Sequence, residues 1–263
     1  MANSTKRPII LLSAIFFAGV AAAPESSAQL GQILTPQSTA AREYAACMAI
    51  ARSNPKAAHE SALAWRKKGG GDAAIHCIAV SLLGMGQYSQ AARMLEELAD
   101  QPNPGRPDLR AGLYGQSANA WNIAGRPQTA VRLLSKAIKL QPDNLDLLID
   151  RSIAHAGLGK YWKSLDDLNL VIEKAPDYVD ALIFRASAWR KVGTLDLAEQ
   201  DIIAALALKP DDPDGLLERG LIRKAQGEIA AARQDWLRVL EISVKGPLTE
   251  AAQRNLESID VRR

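Results

Sequence analysis

From about residue 38 onward, apolar residues recur at helical spacing in short segments separated by polar turns. In the stretch 145–178, two such segments lie on either side of Gly159. A residue without a Cβ atom can adopt the left-handed conformation that ends a helix. Pro176 ends the second segment, because proline cannot continue the helical hydrogen-bond ladder. The pattern therefore predicts two helices joined by a tight turn.

This two-helix pattern recurs at a fixed interval of 34 residues. The interval separates the turn glycines and the closing prolines, and a small residue follows each glycine by five places. The glycines are Gly125, Gly159, Gly193 and Gly227, the prolines are Pro142, Pro176 and Pro210, and the small residues are Ala130, Ser164, Ala198 and Ala232. Gly86 and Ala91 hold the same relative places before a longer loop at 102–108. A fixed period in this range indicates a solenoid of stacked repeats.

The period divides the chain from residue 38 onward into repeats and a closing segment. The repeats are 72–105, 111–144, 145–178, 179–212 and 213–246, preceded by a divergent repeat at 38–71 that lacks the turn glycine. The segment 247–263 has apolar residues at helical spacing among charges, which suits the capping helix that a solenoid needs at its end. We expect the segment 29–37 to be flexible.

The turn sequences resemble those of the tetratricopeptide repeat (TPR) family. The matching residues are Leu83-Gly84-Met85-Gly86-Gln87-Tyr88-Ser89-Gln90-Ala91 and Gly159-Lys160-Tyr161-Trp162-Lys163-Ser164. The resemblance implies an all-α, right-handed superhelical solenoid of antiparallel helix pairs. It also implies that the first helix of each repeat lines a concave face that binds other proteins.

Residues 1–28 have the pattern of a secretory signal peptide. Lys6 and Arg7 precede the apolar run 8–23, and Ala28 ends a small-x-small cleavage site. The apolar run is shorter than the roughly 20 residues of a membrane-spanning helix. We therefore expect cleavage after Ala28 and a periplasmic protein, with an uncleaved membrane anchor as the alternative.

Composition and residue types argue against catalysis. The chain is 48% hydrophobic and 23% charged, and its net charge of +3 is too small to favour nucleic acid as a ligand. His59, His76 and His155 fall in different repeats, without a second metal ligand four residues on. No nucleophile-elbow or Walker motif is present. We expect no enzyme activity, no cofactor, no metal and no nucleic-acid partner.

Three repeats share an arginine at their seventh place and an aspartate at their twenty-third. Both places change together in the two preceding repeats, which have Ile78 with Met94 and Ser117 with Leu133. We therefore expect contact between the two helices of a repeat through a bidentate pair, with a ligand-binding site as the alternative. The pairs are Arg151 with Asp167, Arg185 with Asp201, and Arg219 with Asp235.

Cys47 and Cys77 are the two cysteines of the chain. They fall on the first helices of adjacent repeats, and the signal sequence implies an oxidising compartment. We expect a disulfide that joins the divergent repeat to the next one. Buried thiols or redox-active cysteines are the alternatives, although a Cys-x-x-Cys motif is absent.

The resemblance also places candidate ligand-binding residues on the first helices. The fifth and ninth places of three repeats form a largely apolar stripe on a face expected to meet water, and such a patch is typical of a binding surface. The stripe consists of Ile149, Ile153, Ile183, Ser187, Leu217 and Leu221, with Arg190, Lys191 and Lys224 beside it and Asn119 and Asn122 upstream. The alternative is that superhelical curvature or the capping helix buries the stripe.

The sequence therefore predicts a non-catalytic scaffold that binds an apolar or amphipathic segment of another protein. Two alternatives remain open. The chain could be a self-associating structural protein, or an accessory factor that presents clients to an envelope enzyme.

Overall fold

A computed structural model describes residues 38–101 and 106–260. The predicted signal peptide, the segment 29–37 and part of the loop at 102–108 lie outside the described residues. Within the described ranges the chain is all-α, with no strand, as predicted. These residues divide into two compact units, an N-terminal unit of residues 38–171 and a C-terminal unit of residues 172–260, and each is described by itself.

The N-terminal unit is a series of helices joined by short turns. Its helices are α1 (Thr39–Ser53), α2 (Pro55–Lys67), α3 (Gly71–Gly84), α4 (Tyr88–Asp100), α5 (Pro107–Ile123), α6 (Pro127–Leu140), α7 (Leu145–Gly157) and most of α8 (Tyr161–Lys174). The last residues of α8 fall in the C-terminal unit. That unit continues with α9 (Val179–Val192), α10 (Leu195–Leu208), α11 (Pro213–Gln226), α12 (Ile229–Ile242) and α13 (Pro247–Asp260).

Local sequence sets where the helices begin and end. The Asn144 side chain accepts hydrogen bonds from backbone N–H groups at the start of α7, and the Asp212 side chain does the same for α11. Gly86 and the four turn glycines that follow at intervals of 34 residues all have positive φ angles, from 70° at Gly159 to 88° at Gly227. Other residues rarely adopt this conformation. The prediction that these glycines mark the bends between paired helices is confirmed.

The helices of a pair approach closely where the sequence provides a small side chain. Ala91, Ala130, Ala198 and Ala232, each five places after a turn glycine, have no exposed surface. The core of the N-terminal unit is built around leucines such as Leu95, Leu113, Leu133 and Leu134 together with many alanines. Alanine at these contacts allows the helix axes to approach without leaving voids.

The C-terminal unit packs around one buried aromatic residue. Trp236 on α12 is fully buried, and its Nε1 donates a hydrogen bond to the Leu217 carbonyl oxygen at 3.3 Å. A Cβ atom at Gly220 on α11 would lie 2.8 Å from Trp236 Cδ1, so this glycine provides the space for the indole ring. Helix α13 packs on α11 and α12 and buries Leu248, Ala252 and Ile259. It thus covers one side of the last helix pair.

Candidate functional site

Each of the three predicted Arg-Asp pairs is in contact within one helix pair. Arg185 on α9 donates to Asp201 on α10 through Nε at 2.8 Å and Nη2 at 2.7 Å. Arg151 and Asp167 form the same two-bond arrangement. The aspartate side chains are almost fully buried, whereas the arginines remain about a quarter exposed. Because the two side chains of each pair bind one another, they tie together the two helices of a repeat.

The third pair has an additional cation. Asp235 on α12 accepts from Arg219 Nη2 at 2.6 Å and from Arg223 Nη1 at 2.8 Å, both on α11. Two guanidinium groups therefore neutralise one buried carboxylate. The extra arginine lies one helical turn beyond the first, so α11 is tied to α12 at two points.

In the N-terminal unit, a chain of neutral hydrogen bonds crosses the core. His76 is fully buried on α3; its Nδ1 lies 2.9 Å from Tyr44 Oη on α1, and its Nε2 lies 3.0 Å from Gln116 Oε1 on α5. The amide oxygen can only accept, so Nε2 carries the proton and Nδ1 accepts from the tyrosine hydroxyl. Burial lowers the pKa of His76 to about 4, which keeps the imidazole neutral.

The two cysteines form a disulfide between α1 and α3, with their Cα atoms 6.4 Å apart. Both side chains lie in the core of the N-terminal unit. Cys77 follows His76 directly, so the covalent link and the hydrogen-bond chain hold the same pair of helices. The first helix pair, which lacks the turn glycine, is thereby attached to the next one.

The predicted apolar stripe is not a single exposed surface. Ile149, Ile183 and Leu217, at the fifth place of their repeats, are 7%, 3% and 2% exposed, and the prediction that they face water is wrong. Ile183 shows the reason, since its Cδ1 lies 3.5 Å from the position of a Cβ atom at Gly215 on the following first helix. In the C-terminal unit, the fifth place of α9 therefore points into the packing against the following first helix, α11.

The ninth-place residues are half-buried. Ile153, Ser187 and Leu221 retain partial exposure, and Leu221 packs against the core of the C-terminal unit. Of the polar candidates in the N-terminal unit, Asn119 is exposed, and its Nδ2 donates to Asp150 Oδ2 at 2.9 Å. Asn122 is half-buried near the end of α5.

Two of the three predicted basic contacts are occupied within the C-terminal unit. Arg190 on α9 donates to Glu218 on α11 through Nε at 2.5 Å and Nη2 at 3.1 Å, and Glu218 is buried. Lys224 donates to Ser258 on α13 at 2.6 Å and lies over the Trp236 ring. Both cations thus have partners within the unit, and their contact with another protein stays a prediction. Lys191 remains exposed.

The Arg190–Glu218 pair was not predicted from the sequence. It joins the first helices of two neighbouring repeats, whereas the predicted pairs join the two helices of one repeat. The place of Glu218 is held by Asp150 and Phe184 in the two preceding repeats, so no periodic signal marks it.

Two carboxyl groups on first helices have raised pKa values. Burial, reinforced by the charge of Asp146, raises the pKa of Asp150 to about 7 against the opposing effect of the Asn119 hydrogen bond. Burial and the charges of Asp212 and Asp180 raise the pKa of Asp214 to about 6. Asp214 Oδ1 is also buried without a hydrogen-bond partner among the described residues. Such an oxygen can accept a bond from a bound donor.

The remaining titratable groups do not assemble into a reaction centre within the described residues. His59 Nδ1 contacts Ser81 Oγ at 3.0 Å, and burial is the main cause that lowers the pKa of His155. In residues 38–101 and 106–260, no three side chains of the metal-binding types converge. Across the same ranges, no helix has both the length and the apolar character of a membrane span.

Comparison with known proteins finds a repeat family in part of the C-terminal unit. Residues 185–247 match the tetratricopeptide repeat family. This match spans the three helices α10 to α12 and part of α9, including the pairs Arg185–Asp201 and Arg219–Asp235. No curated protein matches the sequence.

Solved TPR structures share the fold over most of the described chain. The TPR protein TTC0263 of Thermus thermophilus superposes with a TM-score of 0.59 and 20% identity, over 72% of this chain and 99% of that one. MamA of Desulfovibrio magneticus RS-1, from residue 41 to its end, gives a TM-score of 0.55 and 20% identity, over 65% of this chain and 94% of that one. At these identities the likeness shows the TPR fold alone. Repeat proteins of this kind are typically protein-interaction scaffolds.

Proposed function

We propose that this protein is a non-catalytic scaffold of the bacterial cell envelope that holds an amphipathic segment of another protein against its first helices. The envelope location rests on the signal-peptide pattern of residues 1–28. The absence of catalysis is proposed because most of the arginine, aspartate and histidine side chains described above form ion pairs or hydrogen bonds that join helices.

The observation that carries the binding proposal is the first-helix surface of the C-terminal unit, where α9 packs on α11. Asp214 on α11 has a buried carboxylate oxygen without a hydrogen-bond partner among the described residues, and the charge of Asp180 on α9 acts on the same carboxyl group. Lys191 is exposed on α9, and Leu221 is half-buried on α11. A segment with a donor or cation for Asp214, an apolar side chain for Leu221 and an acidic group for Lys191 would satisfy all three.

The first helices of the N-terminal unit also support binding of another protein, through an amide and a carboxyl group. Asn119 and Asp150 form an amide–carboxyl pair between α5 and α7, and Ile153 lies half-buried on α7. An amide that is exposed at such a pair can also bond to the backbone of an extended segment.

Site-specific photo-cross-linking in the periplasm tests the proposal. A photoreactive amino acid at Lys191 is expected to give a discrete cross-linked product, whereas the same amino acid at Lys245, which is exposed in the loop before α13, gives none. Asp214→Asn keeps one acceptor oxygen but removes the negative charge. It is expected to reduce the yield of the cross-linked product formed at position 191. Equal products from both positions, or none from either, would contradict the binding surface.

Recovery of the protein from the cytoplasm with residues 1–28 still attached would contradict the envelope location. Amino-terminal sequencing of the protein purified after expression with its own N-terminus decides this point, and a mature start at Gln29 is expected.

A further inference from the structure

Helix α10 is apolar on the side that faces away from the core of the C-terminal unit. Ten of its fourteen residues are alanine, leucine or isoleucine. One side, with Ala198, Ile202 and Ala205, is buried in the unit. The opposite side is exposed and is here called the outer α10 face. Its apolar residues are Leu197, Ile203, Ala204, Ala207 and Leu208, and its polar residues, Asp196, Glu199 and Gln200, all lie in the first half of the helix.

The exposure of this face is large for apolar side chains. Ile203 is 55% exposed and Leu208 is 50% exposed. From Ile202 to Leu208 every residue of α10 is apolar, and a helical segment that is apolar all round is normally covered on both sides. Helix α12, the second helix of the next pair, does not repeat the pattern, because Arg238 and Glu241 stand beside its exposed Leu237 at the places that Ala204 and Ala207 hold in α10. The apolar face is therefore a property of α10 and not of every second helix in this unit.

Charges at the two ends of α10 indicate what covers the face. Asp196 and Glu199 lie in its first turns, and Lys209 follows its last residue. Two acids follow Lys209. Asp211 is paired with Arg238 at 2.9 Å and Asp212 caps α11 by accepting from the Gly215 N–H, whereas Lys209 has no ion-pair partner among the described residues. An antiparallel copy of the same helix would bring each Lys209 towards the acidic start of the other. A parallel copy would place like charges together.

The side chains of the face also complement each other under this symmetry. Ile203 is large and exposed, and Ala204 next to it is small. A two-fold axis that passes between them places Ile203 of each copy against Ala204 of the other, which fits a large side chain onto a small one. Every such contact is made twice.

We infer that the outer α10 face is a self-association surface, on which a second copy of this chain docks with its α10 antiparallel to the first. One helix face is smaller than the roughly 800 Å² per partner of a standard interface. The association therefore belongs to the weak, concentration-dependent class, and it leaves the first helices free for another protein.

Sedimentation velocity tests the inference. The protein is expressed with its own N-terminus and measured from micromolar to submillimolar concentration. A rising weight-average sedimentation coefficient is expected. Ile203→Asp should weaken association about tenfold or more, because it places two carboxylates at the axis. Leu237→Asp is the matched control, at the same repeat place on α12, and should associate like the unchanged protein.

A monomer at every concentration would overturn the inference, and so would equal weakening by Ile203→Asp and Leu237→Asp. Circular dichroism of both variants excludes unfolding as the cause. Lys191→Glu, which changes the proposed partner-binding surface, is expected to self-associate like the unchanged protein. The self-association inference and the partner-binding proposal can therefore be refuted independently.

Cysteine cross-linking tests the geometry independently. Both native cysteines form a disulfide, so an introduced thiol has no free cysteine to react with among the described residues. Ala204→Cys, next to the inferred axis, is expected to give a covalent dimer on mild oxidation. Ala230→Cys on α12, another exposed alanine, should not. Equal dimer yields from the two variants would refute the antiparallel arrangement.

Discussion

Arg151 on α7 and Asp167 on α8 are joined by two hydrogen bonds, Nη2 to Oδ1 at 2.6 Å and Nε to Oδ2 at 3.0 Å. The aspartate side chain is 5% exposed and the arginine side chain 23% exposed. Arg151 Nη1 also donates to Ser135 Oγ on α6 at 3.2 Å. One arginine thus connects three successive helices of the N-terminal unit.

Asp167→Ala is expected to lower the free energy of unfolding by about 2–4 kcal/mol, because it leaves the half-buried guanidinium of Arg151 without its carboxylate. Asp166→Ala is the adjacent control. Asp166 is 66% exposed and contacts only Lys163 at 3.3 Å among the ion pairs, so its loss should change stability by less than about 0.5 kcal/mol. Urea unfolding followed by circular dichroism measures both. Similar losses for the two variants would show that the pair does not stabilise the helices.

The pH dependence of stability should carry a contribution from His76. Its pKa is about 4 in the folded chain and 6.5 in the unfolded chain, so between these values the unfolded chain binds more protons. Stability is therefore complete above pH 6.5 and falls as the pH drops towards 4, by up to about 3 kcal/mol.

His76→Gln should remove this slope, because glutamine keeps a polar group beside Tyr44 and Gln116 without titrating. The measurement is the free energy of unfolding at pH 7.5 and pH 5. His59→Gln, which changes the half-buried histidine beside Ser81, is the control. If the His76 variant keeps the full difference between the two pH values, another group causes it.

The repeats were predictable because their signals are local and periodic. Glycine at the turns and alanine five places later are required by each helix pair separately, so the requirement recurs along the chain. The Arg185–Asp201 contact was predictable for the same reason, since both partners lie within one repeat and change together.

The exposed surface was less predictable because it depends on contacts between repeats. Ile183 occupies the same place as Ile149 and Leu217, yet its burial depends on Gly215 of the following first helix leaving space for it. Arg190 pairs with Glu218 of the next repeat, at a place where the neighbouring repeats differ. Each of these contacts joins two repeats, so the sequence pattern within a single repeat does not predict it.

Asp150→Asn is expected to stabilise the protein at high pH. The pKa of Asp150 is about 7 when folded and 3.8 when unfolded, so its ionisation in the folded chain costs stability as the pH rises from 3.8 to 7. At pH 8 the amide should raise the free energy of unfolding by about 1–3 kcal/mol, while it still accepts the bond from Asn119. At pH 4 the gain should disappear.

Asp166→Asn on the next helix, α8, is the control for Asp150. The Asp166 side chain is 66% exposed, and its replacement should change stability by less than about 1 kcal/mol at either pH. A gain for Asp150→Asn that is the same at pH 8 and pH 4 would mean that the effect does not come from ionisation.

Loss of the disulfide should mainly destabilise the first helix pair. Cys47 and Cys77 are separated by 30 residues, and closing a loop of this length stabilises by about 3–4 kcal/mol in the chain-entropy model. The double variant Cys47→Ala/Cys77→Ala should therefore unfold at a lower urea concentration and show faster hydrogen exchange in α1 and α2. Exchange in α9 to α12 should stay as in the unchanged protein. Because α1 is held to α3 by the Tyr44–His76 hydrogen bond as well, the pair is expected to remain folded at neutral pH and to loosen towards pH 4, where the imidazole of His76 becomes protonated and can no longer accept that bond. Exchange that increases equally in all helices, or in none, would contradict a local role for this link.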